Sequence, residues 1–498
     1  MEFGFIDKII GSTEFDLGTI CFSADPDGEY LHIGHAFTLF LLSEIKKKYN
    51  YKFVLRFDDI TPNERSSYYC EYILRQLEWL NIDFDQISFA SEYLEVMYEK
   101  ALQLISQGDA YVCKMSHNAI KEERGNYYCF GYECEDRMNS ISKNKLLFNK
   151  MIKGDFEAGE CVLRAKTDML SQNVLFRDPI LFRVINKNHY KYKDKWHAYP
   201  LYSFAEPFED VMDNISHIIL TSNYRDTYEI YNWVLKKLNI EYNPKRIEYG
   251  RIQIEQNTLN KNQLNYLVRE GYVDGWADPR LYTIESMKNR NFSPINLKKY
   301  LINSALSKND VILDGKIIDK FMKNKMKFDY EEIVYIKIPF IVKSKNKDGS
   351  PIFIERDVAI DIINCLKKGE NVIRGTNFGF ITFCSKVCDN DENTTDLYYD
   401  SVYYPKNTEN IRLISYIHRC KKAELIMYSN ILKKRVKGIT NFELYINKQS
   451  KHVEEVYVED RNYSEGDKYK LNNIGYMHVL HFKDRRLIFS MDYDIRVR

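Results

Sequence analysis

Residues 19–57 read TICFSADPDGEYLHIGHAFTLFLLSEIKKKYNYKFVLRF, and this stretch sets the fold class. Thr19 to Phe22 is a short run of β-forming residues, followed by a loop with Pro26 and Gly28. From Ala36 to Tyr49 the apolar residues Phe37, Leu41 and Ile45 recur every four positions, the spacing of one helix face. That helix ends on Lys46, Lys47 and Lys48, the charge that suits the negative end of its dipole. Lys52 to Phe57 is a second β run. Strand, helix and strand in so short a stretch make a βαβ unit, which predicts a parallel sheet with its ligand at the C-terminal strand ends. A further helix is expected to open at Thr61-Pro62-Asn63-Glu64, with Thr61 as cap, Pro62 in the first turn and Glu64 completing a capping box.

Outward from this unit the pattern changes twice. From about Tyr111 to Lys195 the apolar period breaks around Gly125, Gly131, Gly154 and Gly159, which predicts an inserted subdomain. Regular α/β patterning resumes near Trp196 and reaches about Asn262. Beyond about residue 325 come short β-rich runs such as Ile333 to Val342, Phe378 to Cys384 and Leu397 to Tyr404, so an all-β C-terminal third built of barrels is expected. A chain of 498 residues has room for about three domains.

Composition narrows the function classes. Met1 to Asp16 carries acidic residues and lacks the apolar core of a signal peptide, and no window approaches the ~20 apolar residues of a membrane span. The ten cysteines follow no repeated spacing, so a reducing, cytoplasmic address with no membrane partner is expected. Cys129 with Cys134 and Cys384 with Cys388 are not C-x-x-C pairs, and protein-bound zinc is not expected. Lys plus Arg is 72 and Asp plus Glu is 71, so no global field holds an acidic partner. Residues 301–498 carry 34 basic and 28 acidic residues, a net of +6, which leaves −5 for residues 1–300. Nucleic acid must therefore be met by a local patch, and Lys433-Lys434-Arg435 with Lys437, or Lys323, Lys325 and Lys327, are the candidates.

Chemistry concentrates at His32-Ile33-Gly34-His35, where the loop after the first strand becomes the helix. Exposed N–H groups and the positive dipole end favour phosphate there, and Gly34 lets a nucleotide lie against the backbone. Two imidazoles can donate hydrogen bonds to phosphoryl oxygens as charge builds. Phe22-Ser23-Ala24-Asp25-Pro26-Asp27-Gly28-Glu29-Tyr30-Leu31 leads into this tetrapeptide, and Arg56-Phe57-Asp58-Asp59-Ile60-Thr61-Pro62 follows the next strand. The arrangement resembles class I aminoacyl-tRNA synthetases of the glutamyl and glutaminyl branch, whose loop reads like F-P-P-E-x-x-G-Y-L-H-I-G-H and whose next strand ends in R-F-D-D-T-N-P. Further words follow in the same order over about residues 20–300. They are Cys161 to Lys166 with Asp168-Met169, Arg177-Asp178-Pro179 with Phe182-Arg183, Tyr199-Pro200-Leu201-Tyr202, Glu248-Tyr249-Gly250-Arg251, and Gly275-Trp276-Ala277-Asp278-Pro279-Arg280. Within the branch, Ile82 to Ser91, the run at Arg164, Arg177-Asp178-Pro179 and Phe204-Ala205 look more like the eukaryotic, cytoplasmic glutamyl enzymes.

The resemblance implies an α/β fold whose Rossmann-type parallel-sheet catalytic domain is split over residues 15–110 and 196–262. An acceptor-stem-binding subdomain is inserted at 111–195, a helical stem-contact region spans 263–325, and all-β barrels at 326–498 bind the anticodon. It implies ATP-dependent activation of glutamate, with Mg2+ accompanying the ATP, and transfer to the terminal adenosine of tRNA, by a monomer. His32, His35 and Lys261 fall on catalytic positions, Lys261 within Thr258-Leu259-Asn260-Lys261-Asn262, which takes the place of the K-M-S-K-S signature. Asp25, Pro26, Gly34, His35, Thr221, Arg251, Leu259, Asn260 and Lys261 fall on ATP-binding positions, and Asp58 and Tyr202 on positions that hold the amino acid's ammonium. No metal-ligating residues are implied.

Some positions depart from the family pattern. A buried glutamate carboxylate needs a cation, since leaving it unpaired costs several kcal/mol. The family's two arginine positions hold Cys21 and Leu220, and the chain has no arginine before Arg56. Glu29 is an extra residue in the loop, Ser23-Ala24 replaces two prolines, Ser203 an aspartate, and Asn260 and Asn262 flank Lys261. Arg225 is the nearest substitute cation in sequence. Three functions follow: a glutamate–tRNA ligase with a drifted pocket, a paralogue that binds tRNA without charging it, and a glutaminyl-type ligase.

Overall fold

The structure is a computed structural model that describes residues 18–28, 31–325, 331–344, 349–368, 372–376, 379–388, 391–400, 415–434, 442–471, 475–483 and 486–494. It forms two units. The first takes in the described residues up to Tyr266 with Tyr282–Glu285 and Pro294–Leu313, and the second takes in Leu267–Leu281, Ser286–Ser293 and the chain from Asp314 onward.

In the first unit, β1 (Thr19–Ala24), α1 (Ile33–Tyr49) and β2 (Lys52–Phe57) form the expected βαβ, with Thr19 opposite Lys52 and Ala24 opposite Phe57 in a parallel register. Five of the six β2 residues are buried, the continuous burial that a parallel strand covered on both faces requires. α2 (Ser66–Trp79), β3 (Gln86–Phe89) and α3 (Leu94–Gln107) follow. α2 starts later than the Thr61-Pro62 signal predicts. The Asn63 side chain accepts from Arg65 N at 3.0 Å and the Asn63 carbonyl from Ser66 N at 3.2 Å, so a turn centred on Asn63 occupies this stretch, and the helix begins without a side-chain cap at Ser66.

The chain then leaves the sheet for a four-stranded antiparallel sheet in the order β4 (Ala110–Cys113), β5 (Val162–Ala165), β6 (Ile180–Val184) and β7 (Ala198–Pro200). Helices α4 (His117–Arg124) and α5 (Ile141–Lys153) sit between its first two strands in the chain. The motif words here build the frame. Fully buried Arg164 pairs Nη2 with Glu123 Oε2 at 2.7 Å and donates Nε to the Asp178 carbonyl at 2.8 Å. Asp178 accepts from the Tyr111 hydroxyl at 2.9 Å, Arg137 Nε at 2.9 Å and Thr167 N at 2.7 Å. Arg177 Nη1 donates to the Arg124, Asn126 and Cys129 carbonyls and so holds the loop after α4. Buried charges paired in this way hold the subdomain together.

α6 (Tyr202–Met212) returns the chain to β8 (His217–Thr221), α7 (Tyr228–Lys237) and β9 (Lys245–Tyr249), which complete a parallel sheet of order β3-β2-β1-β8-β9. β10 (Ile252–Ile254) and α8 (Lys261–Arg269) follow.

In the second unit a seven-stranded sheet has Glu331–Ile333 at one edge and Tyr335–Ile336 at the other, and only Val334 separates them in the chain. A sheet whose two edges are neighbours in sequence must curl round on itself, which makes it a nearly closed barrel. Leu425, Val456, Leu471, Val479 and Phe489 fill it. A five-stranded sheet lies beside the helix Arg356–Lys367, which buries Ala359 and Ile362. That helix corrects the all-β expectation: Val358, Ala359, Ile362, Ile363 and Leu366 carry a 3.6-residue period inside a β-rich run.

Candidate active site

α1 begins at the C-terminal end of β1, and its first turn is built by the two histidines. His32 is the N-cap: its Nδ1 accepts from Gly34 N at 3.1 Å, and its own N–H donates to His35 Nδ1 at 3.1 Å. The rings stack with centroids 3.9 Å apart. Burial, with His35 alongside, holds His32 well below the usual histidine range. Burial and then the Lys261 charge bring His35 down to about 4. Both rings are therefore neutral near pH 7, and each already uses Nδ1 as an acceptor. The proton of each ring must sit on Nε2, where that of His32 meets the Leu259 backbone, so the pair places neutral imidazoles rather than cations at a helix N-terminus. The segment 282–284 fixes this turn from outside, with Ile33 N donating to the Tyr282 carbonyl at 2.9 Å and Ile284 N to the Leu31 carbonyl at 2.8 Å.

Lys261 arrives from the far side. Asn260 Oδ1 accepts from Asn262 N at 3.0 Å and Gln263 N at 3.2 Å, and its carbonyl from Leu264 N at 2.9 Å, so Asn260 caps α8 and Lys261 is the first residue of that helix. Serine and asparagine are equally good caps, so asparagine at position 260 can start α8 as a serine would. The Lys261 ammonium meets Asp25 Oδ2 at 2.9 Å and also pairs with Asp27. Burial pulls its pKa down, but the Asp27 hydrogen bond and the Asp25 charge outweigh this and hold it above the ordinary lysine range. The Leu259 backbone faces the His32 ring. His32, Gly34, His35, Asp25, Leu259, Asn260 and Lys261 thus come together, with Pro26 buried between Asp25 and Asp27. Arg251 does not join them. It is turned onto Asp310, with Nη2 2.9 Å from Oδ2 and its N–H 2.9 Å from Oδ1. Thr221 ends β8 and is half-buried.

The second cluster lies at the end of β2. Asp58 is pushed up to about 7, first by burial and then by the Asp25 charge. Tyr202, the first residue of α6, donates its hydroxyl to Glu206 Oε1 at 3.0 Å. Behind them is a charge knot absent from the sequence reading. Arg56 is buried and places Nη2 2.8 Å from Asp210 Oδ1, Nη1 3.0 Å from Asp213 Oδ2 and Nε 3.3 Å from Glu209 Oε2. Burial and then the Asp210 charge raise Glu206 to about 7, and burial raises Glu209 well above the carboxylate range. Cys21 and Leu220 pack together on the apolar cluster of Val54, Ile218 and Tyr231. Arg246 acts electrostatically on Glu206, but it also pairs with Glu248 at 3.4 Å and lies 4.4 Å over the Tyr228 ring. The Arg225 side chain, Glu29 and Tyr30 lie outside the described residues. So do Lys327, Arg435 and Lys437 and the side chains of Lys323 and Lys325; Lys433 and Lys434 are described, and Lys434 lies 4.7 Å over the Tyr445 ring. Among the described residues no three His, Cys, Asp or Glu side chains gather as metal ligands.

A parallel sheet whose first helix N-terminus carries two neutral imidazoles, with a lysine ammonium nearby, is an arrangement that suits a phosphate-bearing ligand. The family described as tRNA synthetases class I (E and Q), catalytic domain, matches residues 19–328, and the chain belongs to it. It is 39% identical over 302 residues to a glutamine–tRNA ligase of Clostridium perfringens, covering 61% of this chain and 54% of that protein. A glutamine–tRNA ligase of Clostridium kluyveri is 36% identical over 335 residues, covering 67% and 60%. The chain thus matches somewhat more than half the length of these relatives. Among solved structures, a glutamate tRNA ligase from Elizabethkingia meningosepticum, in complex with its amino acid, has a TM-score of 0.41 at 17% identity, covering 61% of this chain and 69% of that one.

Proposed function

We propose that this chain is an aminoacyl-tRNA ligase that activates glutamine with ATP and transfers it to the 3′-terminal adenosine of tRNA. The observation that carries the choice of amino acid is the charge of the second cluster. Arg56 is paired with Glu209, Asp210 and Asp213, Arg246 is paired with Glu248 and acts on Glu206, and Asp58 lies close by, so each guanidinium already has a carboxylate partner. A glutamate side chain entering there would add a further negative charge, with no further cation among the described residues of the cluster to meet it, whereas a neutral amide adds none. The names of the curated relatives favour the same reading. Glutamate, which the sequence resemblance favours, is the competing substrate.

In this reading His32 and His35 donate Nε2–H to phosphoryl oxygens, Lys261 supplies the positive charge, and Asp58 and Tyr202 receive the amino acid's ammonium. The amino acid carboxylate attacks the α-phosphorus and pyrophosphate leaves, so the protein contributes position and charge rather than a nucleophile. Mg2+ enters with ATP, held mainly by phosphate and water. The same reading makes the chain a cytoplasmic monomer whose partners are ATP, glutamine and tRNA.

The test is ATP–pyrophosphate exchange and tRNA charging by the purified chain, with glutamine and glutamate in competition. Glutamine is expected to exceed glutamate in kcat/KM by about 10²-fold or more. Preference for glutamate would overturn the choice of amino acid. No charging with either, beside an active control, would overturn the enzymatic reading in favour of a tRNA-binding paralogue.

Gly34 gives a second test. A Cβ there would lie 2.9 Å from Cε1 of the His32 ring and displace it. Alanine in a helix gains about 0.5–1 kcal/mol over glycine, and a lost N-cap costs about 1 kcal/mol, so stability should barely change. Gly34→Ala is expected to leave Tm nearly unchanged and to raise KM for ATP about tenfold, and an unchanged KM would remove the His32 ring from the nucleotide site.

A further inference from the structure

The inserted subdomain holds a feature that the ligase reading does not use. Cys113 ends β4, and Cys134 lies directly before the helical turn Glu135–Met138. Their Sγ atoms are 4.0 Å apart. Cys113 is fully buried and Cys134 is 8% exposed. The two backbones are tied at the same place, because Lys114 N donates to Asp136 Oδ2 at 2.8 Å. The Tyr111 hydroxyl lies 3.6 Å from Cys134 Sγ, and Arg164 Nη1 lies 3.9 Å from Cys113 Sγ. Two thiols in contact on anchored backbones need only side-chain rotation and a small shift to reach a bond of about 2 Å.

We propose that Cys113 and Cys134 are a reversible redox pair, joined as a disulfide by an oxidant of the peroxide class. The hydrogen bond from the Cys113 thiol brings Cys134 down to about 6, and the same bond, with burial, pushes Cys113 up. Cys134 is also the more exposed sulfur, so it reacts first. Its thiolate attacks one peroxide oxygen, the O–O bond breaks, and hydroxide leaves and takes a proton to become water. The Cys134 sulfenic acid that forms is then attacked by the Cys113 sulfur. The S–O bond breaks, the S–S bond forms, and the departing oxygen leaves as a second water with the Cys113 proton. In sum two thiols and one hydrogen peroxide give one disulfide and two waters. The ring so closed contains α4 and the loop with the exposed aromatics Tyr127, Tyr128, Phe130 and Tyr132, so oxidation restricts that surface.

Cys129 is exposed in the same loop, so the experiment uses the full chain in a Cys129→Ser background. The protein is treated with hydrogen peroxide, its free thiols are alkylated, and it is digested with trypsin. The expected result is a peptide of residues 101–114 joined to residues 125–137 at a mass about 2 Da below the sum of the two unalkylated peptides, two fewer alkylated thiols, and reversal by dithiothreitol. Cleavage after Arg124 in the folded protein should slow about tenfold on oxidation. Cys113→Ser should abolish the joined peptide. Should that variant not fold, the joined peptide in the background protein still decides. A Cys134 oxidised to sulfinic acid without a partner, a link to another cysteine, or stoichiometric zinc on the pair would each overturn the proposal. None of these readouts depends on aminoacylation, so the redox pair and the ligase reading stand or fall separately.

Discussion

Lys261→Ala is expected to lower ATP–pyrophosphate exchange by about 10²- to 10³-fold, the range found when one preorganised donor to a developing charge is removed. The size follows from what faces the phosphate. Both histidine rings are neutral, so they donate hydrogen bonds but carry no charge, and the positive charge must come from Lys261. In the structure that ammonium rests against Asp25 and Asp27, so a nucleotide would compete with them for it. The loss should therefore fall mainly on kcat, where charge develops, with a smaller rise in KM for ATP. Lys261→Arg keeps the charge but not the point geometry and should recover part of the activity. Because the ammonium is partly exposed, Tm should move by no more than about 2 °C. Exchange within threefold of the parent protein would remove Lys261 from the chemistry.

The largest effect on stability is expected from Arg56→Met. The guanidinium faces Glu209, Asp210 and Asp213, which are nearly or fully inaccessible to solvent, and its removal leaves three buried carboxylates without their cation. Breaking a buried pair from one side costs about 3–5 kcal/mol, enough to unfold many domains of this size. Low pH should soften the loss. Glu206, Glu209 and Asp210 are raised above their ordinary range, so the folded chain binds more protons than the unfolded one. The stability they contribute is present below the ordinary carboxylate range and is lost as the pH rises through about 7, the value for Glu206 and Asp58. The variant should thus melt closer to the parent at about pH 5 than at about pH 8, as thermal denaturation at the two pH values would show. A variant as stable as the parent at pH 8 would mean that water already satisfies the knot.

The βαβ unit and the two-histidine turn that opens α1 were legible because they rest on local rules: a period of four in α1, a glycine between two histidines, and turn residues at fixed offsets. The Arg56 knot was not. Glu206, Glu209, Asp210 and Asp213 occupy the same helical spacing as an apolar stripe, but in acidic residues they read as a solvated face, and their partner lies about 150 residues away in the chain. Position alone flagged Asn260 as a departure, whereas its role as a helix cap depends only on an acceptor atom that serine and asparagine share. The helix Arg356–Lys367 was missed although its period was present, because the runs on either side set the expectation. Arg164 and Arg177-Asp178-Pro179 were found as motif words, and only their bonds reveal that they hold the inserted subdomain together.

The one-residue link at Val334 sets a waiting time during synthesis. Among the described residues Glu331–Ile333 pairs with Lys468–Leu471, and Tyr335–Ile336 with the end of Lys451–Glu459, so both strands precede their partners by more than 110 residues in the chain. At 5–20 residues per second that is roughly 6 to 23 seconds in which two short strands have exposed edges and no sheet to join. The barrel is therefore fastened by strands made long after the two they join, and a nascent chain that stops before residue 468 leaves the barrel with its clasp open.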